Sequence, residues 1–241
     1  MDRSSHLGIA FAGLFLAAGI AVAGYFIGQT MLAAKIYANS ATVRGLSERT
    51  VKADRVVWSI RYGVNAATRA DLPVVAPELA AIERQILERL ASVGIEEADV
   101  EIYAVDVYDR TFRNQEGLII DQSFELSGSL TVDTGQVDLI KPAEKALSGL
   151  ITQGLEVDPG SPRYMFTDLN TIKPAMLREA TENARLAAEE FASNAGVEVG
   201  AIREARQGNF SIRDTGDPNS EFFEIDKLVR VITTIEFYLT E

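Results

Sequence analysis

Cysteine is absent from this 241-residue chain, and histidine occurs once, at His6. No disulfide, thiol nucleophile or cysteine-bound zinc can form. A Ser-His-Asp arrangement would have to recruit His6, which precedes an apolar run. Basic residues are outnumbered, with 23 Lys and Arg against 35 Asp and Glu and a formal charge of −12, and no dense basic block occurs. No nucleic-acid partner is therefore expected. Glycine-rich phosphate loops are missing as well: neither Gly-x-x-x-x-Gly-Lys-Ser/Thr nor a Gly-x-Gly-x-x-Gly after a strand occurs. No low-complexity linker interrupts residues 43–241, so one continuous body is expected there.

What is present begins with residues 7–34, which carry no formal charge. A membrane helix needs about 20 apolar residues. Only Gln29, Thr30 and the Tyr25 hydroxyl add polarity, all near one end of the run. A cleaved secretory signal is the competing reading, because Ala21-Val22-Ala23 fits the small-x-small pattern behind an apolar stretch at 7–20. The apolar character continues past Ala23 to Ala34, and Asp2 offsets Arg3, so residues 1–34 are expected to be a tail and an uncleaved signal-anchor. Arg3 and Lys35 nearly balance the positive-inside count. The short tail and large following body favour a cytoplasmic N-terminus with the body exported. Gly24 and Gly28 form a Gly-x-x-x-Gly pair, which permits close helix packing in lipid, although Gly and Ala are also common in membrane helices generally. Residues 35–42 read as a short connector.

The body alternates in period. Val56, Trp58, Ile60, Tyr62 and Val64 recur every second residue and predict a half-buried strand, with Trp58 in the core. Leu79, Ile82, Ile86, Leu90 and Val93 recur at helical spacing, with Pro77 suiting the first turn and Gly94 the stop. Residues 100–112 and 118–132 read as strands joined by a turn at Asn114-Gln115-Glu116-Gly117. A helix is expected over 138–151 with Pro142 near its start, a turn at 158–162 and a strand over 164–170. The next helix is expected over 172–194, with Pro174 in its first turn. Ala180, Ala184, Ala187, Ala188 and Phe191 form its packing face, and Gly196 ends it. Closing strands are expected over 197–212 and 228–239, with Val229, Val231, Thr233, Ile235, Phe237 and Leu239 on one face of the second. Hairpins with helices between them predict an α+β fold of antiparallel sheets, each covered by helices on one face.

The blocks Val43-Arg44-Gly45-Leu46-Ser47-Glu48-Arg49, Lys52-Ala53-Asp54 and Trp58 resemble the opening of SIMPL-domain proteins, a family of bacterial envelope proteins. Leu169-Asn170-Thr171-Ile172-Lys173-Pro174 and the helix from Glu179 to Ala192 are similar to later family segments. So are Gln207-Gly208-x-Phe210-Ser211-Ile212 and Val229-Arg230-Val231. The resemblance covers residues 43–241 and implies an exported or anchored α+β body without an enzymatic activity or catalytic residues to carry over. It also implies ring- or channel-like homo-oligomers in some relatives, and a loose link to envelope stress.

Two acidic clusters carry the side chains that metal or acid–base chemistry would need. Asp214, Asp217, Asn219, Glu221, Glu224 and Asp226 could supply oxygen ligands to Ca²⁺, but their spacing departs from the EF-hand pattern, so a solvated acidic loop is expected. Glu96, Glu97, Asp99 and Glu101 read as a solvated turn. No metal, cofactor or catalytic site is expected. The expected function is a single-pass inner-membrane protein whose periplasmic body self-assembles into a ring or cage-like scaffold. Arg44, Arg49, Lys52, Arg55 and Arg61 are expected to meet acidic faces of neighbouring copies. A periplasmic binding module for a small apolar or peptide ligand is the alternative, and protein partners are otherwise unspecified.

Overall fold

The computed structural model describes residues 3–36, 39–217 and 219–240, and of these the backbone alone for 3–12 and 32–36. The side chain of His6 and the middle of the expected connector lie outside the described residues. Helix α1 spans Arg3–Ile36, and β1 (Ser40–Lys52) already begins at Ser40, so most of the connector expected at 35–42 is helix or strand. Within α1, Gly13–Met31 is long and apolar enough to cross a membrane, and none of it is buried inside the protein. By length and composition this span suits an anchor and a signal sequence equally. Its polar groups turn inward on the helix: the Gln29 amide donates to the Tyr25 hydroxyl at 3.1 Å and the Thr30 hydroxyl to the Phe26 carbonyl at 2.7 Å. Such local bonds are what a polar group needs where water is absent.

After β1 come β2 (Arg55–Ala66), α2 (Leu72–Ser92), β3 (Val100–Ile102), β4 (Asp106–Arg113) and β5 (Ile119–Thr134). Then follow α3 (Ile140–Thr152), β6 (Glu156–Asp158), β7 (Arg163–Met165) and α4 (Leu169–Ala195). The chain closes with β8 (Glu198–Gln207), β9 (Ser211–Asp214) and β10 (Asp226–Thr240). One sheet runs β1-β10-β8 with β9 on β10; the other runs β3-β5-β2-β6 with β4 on β5 and β7 on β2. The pairings with resolved register are antiparallel, so the α+β expectation holds. The body packs as two compact units, residues 48–173 with 211–230, and residues 1–47 with 174–210 and 231–241.

The first of these units holds the larger core. The buried face of β2, made of Val56, Trp58, Ile60, Tyr62 and Val64, lies in one cluster with Leu79, Ile82, Ile86 and Leu90 of α2 and Ile140, Ala143, Leu147 and Leu150 of α3. Period two on the strand and period 3.6 on the helices place every one of these residues on a single interior face. Trp58 is fully buried and its indole N–H donates to the Pro159 carbonyl, which satisfies the one polar atom it brings inside.

In the second unit, α4 buries Met176, Ala180, Ala184, Ala188 and Ala192, while Phe191 is exposed and Ala187 also faces out, contrary to the expected packing face. The buried residues recur every fourth position as one stripe, and at Ala180 and Ala184 that stripe meets the backbone of β1: a Cβ on Gly45 would stand 1.8 Å from the Ala180 carbonyl oxygen. The Ser47 hydroxyl donating to Glu179 at 2.9 Å and the Asn183 amide donating to the Leu46 carbonyl at 2.8 Å hold that approach.

Several boundaries differ from expectation. Helix α2 begins at Leu72 with Pro73 in its first turn, and Pro77 lies inside it. Helix α4 begins at Leu169, which leaves Pro174 inside and shortens the strand expected at 164–170 to β7. A long-range cap sets that start: the Asp54 carboxylate accepts from the Thr167 N–H at 2.8 Å and the Asp168 N–H at 2.8 Å. Each interior proline withholds a bond from a carbonyl of the first helical turn, that of Pro73 for Pro77 and of Asn170 for Pro174. The strand expected over 197–212 is split into β8 and β9, between which Gly208 N–H donates to the Ile232 carbonyl at 2.8 Å.

Candidate functional site

The most unusual surface is a two-stranded ribbon in the first unit. Pairing between β2 and β5 ends at Ala66 opposite Phe124, while β4 stays paired to β5 from Asp106 opposite Ser127 to Arg113 opposite Ile119. Beyond Phe124 the ribbon has no third strand among the described residues. Its turn is built locally: the Asn114 side chain accepts from the Glu116 N–H at 3.0 Å and the Leu118 N–H at 2.9 Å, and Gly117 takes φ 82°, which a side chain rarely tolerates.

Apolar side chains crowd this ribbon without cover. Val107, Tyr108, Phe112, Leu118, Ile119 and Ile120 are all exposed, Ile120 at 67%. Exposed apolar side chains gathered on one element mark interaction sites, and an uncapped strand edge is a template for further pairing. The pattern of residues 100–112 and 118–132 marks strands and does not mark an exposed surface. The run Leu118-Ile119-Ile120, which breaks alternation just after the turn, was the available signal.

Beside the ribbon, the outer face of the same sheet is polar. Arg55 grips Asp133 through two bonds of 2.7 and 2.5 Å, Arg61 pairs with Asp158 at 2.7 Å, and Arg110 pairs with Glu125. Hydrogen bonding to Arg55 holds the Asp133 carboxyl below its ordinary range, and Arg61 with the Gly160 N–H does the same for Asp158. Lys52 pairs with Asp138 at 2.5 Å. Three of the basic residues expected to reach neighbouring copies, Lys52, Arg55 and Arg61, are thus engaged within the chain. A groove of about 650 Å³ lies on this face between Arg61, Tyr108, Arg110, Glu125, Glu156 and Asp158.

A second cleft of the same unit, about 670 Å³, is lined by Lys141, Glu144, Pro162, Tyr164 and Phe223 among others. Tyr164 is buried, and its hydroxyl has no hydrogen-bond partner among the described residues. Burial, then the charge of Glu144, push that hydroxyl up to about 12, so it stays protonated. Tyr62, by contrast, donates its hydroxyl to Glu83 and is raised by burial first and by that bond second.

The acidic loop expected to be solvated has a buried anchor. Asp214 and Lys227 are both fully buried and paired, Ser220 donates its hydroxyl to the same carboxylate, and the Phe223 N–H adds a bond of 2.9 Å. Lys227 also donates to the Glu221 carbonyl at 3.0 Å. Burial works against the charge on Asp214, but Lys227, Ser220 and the Phe223 N–H outweigh it and leave the carboxyl below its ordinary value. Among the described residues no three His, Asp or Glu side chains gather as a metal site. Glu96, Glu97 and Glu101 of the other acidic cluster are exposed, and Glu101 accepts from the Tyr103 hydroxyl at 2.9 Å. Gly24 and Gly28 lie on α1 with open space where a Cβ would stand.

These features define an α+β protein of helix-covered antiparallel sheets behind an apolar N-terminal helix of membrane-spanning length. The chain belongs to the SIMPL family, described as "Protein of unknown function (DUF541)", whose pattern matches residues 41–223. No curated protein matches it. Among solved structures, the de novo designed protein Foldit4 is 22% identical with a TM-score of 0.23, over 47% of this chain and 98% of its own. The ligand-free regulatory subunit of aspartate kinase from Thermus thermophilus is 14% identical with a TM-score of 0.19, over 81% of this chain and 88% of its own. Likenesses at these scores carry no argument about fold or activity.

Proposed function

We propose that this SIMPL protein is a single-pass protein of a bacterial inner membrane whose periplasmic body self-associates into a ring- or cage-like homo-oligomer. The observation that carries this reading is the β4–β5 ribbon, where apolar side chains and a strand edge remain after the chain has satisfied its own core. The unburied apolar span of α1 supports the anchor, and Gly24 with Gly28 offers a second contact between helices in lipid. No catalytic step belongs to the proposal. Light scattering and particle imaging of the detergent-solubilised full-length protein, beside a chain beginning at Ile36, test it. A defined multimer in both assigns assembly to the body, a multimer only with α1 assigns it to the membrane helix, and monomers in both reject it.

A second reading draws on the Tyr164 cleft. A protonated hydroxyl without a partner, beside Lys141 and an exposed Phe223, suits a small ligand with an apolar part and an acceptor group. Small molecules that co-purify with the protein and raise its melting temperature, but not that of Tyr164→Phe, would favour this reading.

A further inference from the structure

We propose that a second copy of this chain pairs along the free edge of β4, antiparallel and about a two-fold axis at Thr111, with Asp109 of each copy opposite Arg113 of the other. The inference rests on the self-association reading and names one of its contacts, a two-fold one that joins copies in pairs.

Strand β4 bonds to β5 on one side and to no other strand among the described residues. A two-fold axis normal to the ribbon keeps each face on its own side, so one residue of the strand must oppose its own copy. Charge matching selects that residue, since centring on Val107 or Phe112 sets no acidic residue against a basic one. Centring on Asp109 or Arg110 stacks like charges on the axis, which costs stability. Centring on Tyr108 sets Arg110 against Asp106 and draws it away from Glu125, its partner within the chain. Centring on Thr111 places a β-branched, uncharged residue on the axis and sets Asp109 against Arg113 twice. It also lays Arg110 beside the exposed Phe112 of the second copy, where a guanidinium meets a ring face.

The two charges matched in this register are ones without an ionic partner among the described residues. Asp109 accepts only from the Thr111 hydroxyl at 2.5 Å and the Gln122 amide at 3.3 Å, and Arg113 donates to the Gly117 carbonyl at 3.0 Å. A lipid surface fits this strand poorly, because Asp106, Asp109, Arg110 and Arg113 place four charges within eight residues.

The absence of cysteine makes the test direct, since an introduced thiol is the only one present. Residues directly opposite across an antiparallel pair have Cβ atoms about 4.5–5.5 Å apart, near the reach of a disulfide. Thr111→Cys in the detergent-solubilised full-length protein should therefore form a covalent dimer under mild oxidation that reductant dissolves, and Tyr108→Cys should not. Charge exchange supplies a second readout. Asp109→Arg and Arg113→Asp should each weaken association about tenfold at low salt, and the combined variant should restore it. Tyr108, Asp109 and Arg113 are exposed and Thr111 is half-buried, so an unchanged melting temperature of each variant certifies the fold. Cross-linking at Tyr108 instead of Thr111, or charge exchange without rescue, overturns the register. A multimer that cross-links at neither position overturns the ribbon contact and leaves self-association standing, whereas a monomeric wild-type protein overturns both.

Discussion

Strand β5 has two halves with opposite environments. From Phe124 to Val132 it alternates between buried and half-buried positions against β2, and its inward residues Leu126, Leu130 and Val132 join the core under α2 and α3. From Ile119 to Asp121 the same strand is exposed on both faces and pairs with β4 alone. Both halves are rich in residues that favour strands, so local propensity does not separate them. The presence of a third strand and a covering helix does, because a two-stranded ribbon is marginal in water without further packing. The half with cover carries stability, and the half without it is surface available for association.

The largest effect that would sharpen this contrast is expected at Trp58. Trp58→Ala should cost about 3–5 kcal/mol by chemical denaturation, since it opens a cavity in the covered half and strands the Pro159 carbonyl. Lys227→Met should cost about 3 kcal/mol or more by leaving Asp214 charged and buried without its partner. The pH dependence follows the same pair. The folded carboxyl of Asp214 lies below its ordinary value of 3.8, so its contribution is full above that pH and is lost as pH falls through the lowered value. The wild-type protein should therefore lose stability on acidification below 3.8, and Asp214→Asn should start less stable and show a shallower acid slope.

Gly45→Ala should cost about 1–3 kcal/mol, because the added methyl meets the backbone of α4. A smaller penalty would mean that β1 can slide off the helix. The smallest expected effect is on the ribbon. Replacing Phe112 and Ile120 together by Ser should leave the denaturation midpoint within about 0.5 kcal/mol of wild type while lowering the particle mass seen by light scattering. A large loss of stability from that pair would break the contrast, since it would give the exposed half a role in folding.

Much of the covered half was legible. The alternation of Val56 to Val64 and the 3.6-residue recurrence of Leu79, Ile82, Ile86 and Leu90 each name one buried face, and the structure buries those residues. The turn at Asn114 to Gly117 and the stop at Gly94, with φ 97°, followed from residue chemistry alone. The helix starts misled because Pro77 and Pro174 are visible in sequence while the Asp54 cap on α4 joins residues more than a hundred positions apart. Phe191 falls on the packing face by helical spacing, but the stripe that the fold buries runs through Met176, Ala180, Ala184, Ala188 and Ala192 and leaves the ring exposed.

The candidate site was less legible for a related reason. Asp214 read as one carboxylate in an acidic loop, and only the fold brings Lys227 beside it in a dry interior. Lys52, Arg55 and Arg61 read as charges available to other copies, and only the register of the sheet and the placing of α3 supply Asp138, Asp133 and Asp158.

By itself the sequence determined the apolar helix of membrane-spanning length, the α+β class, the family and the residues of the main core, because composition and periodicity are local properties of the chain. Tertiary structure alone decided which apolar strand residues stay uncovered, which charges are already matched and which edge is free, because each depends on what the rest of the chain brings alongside.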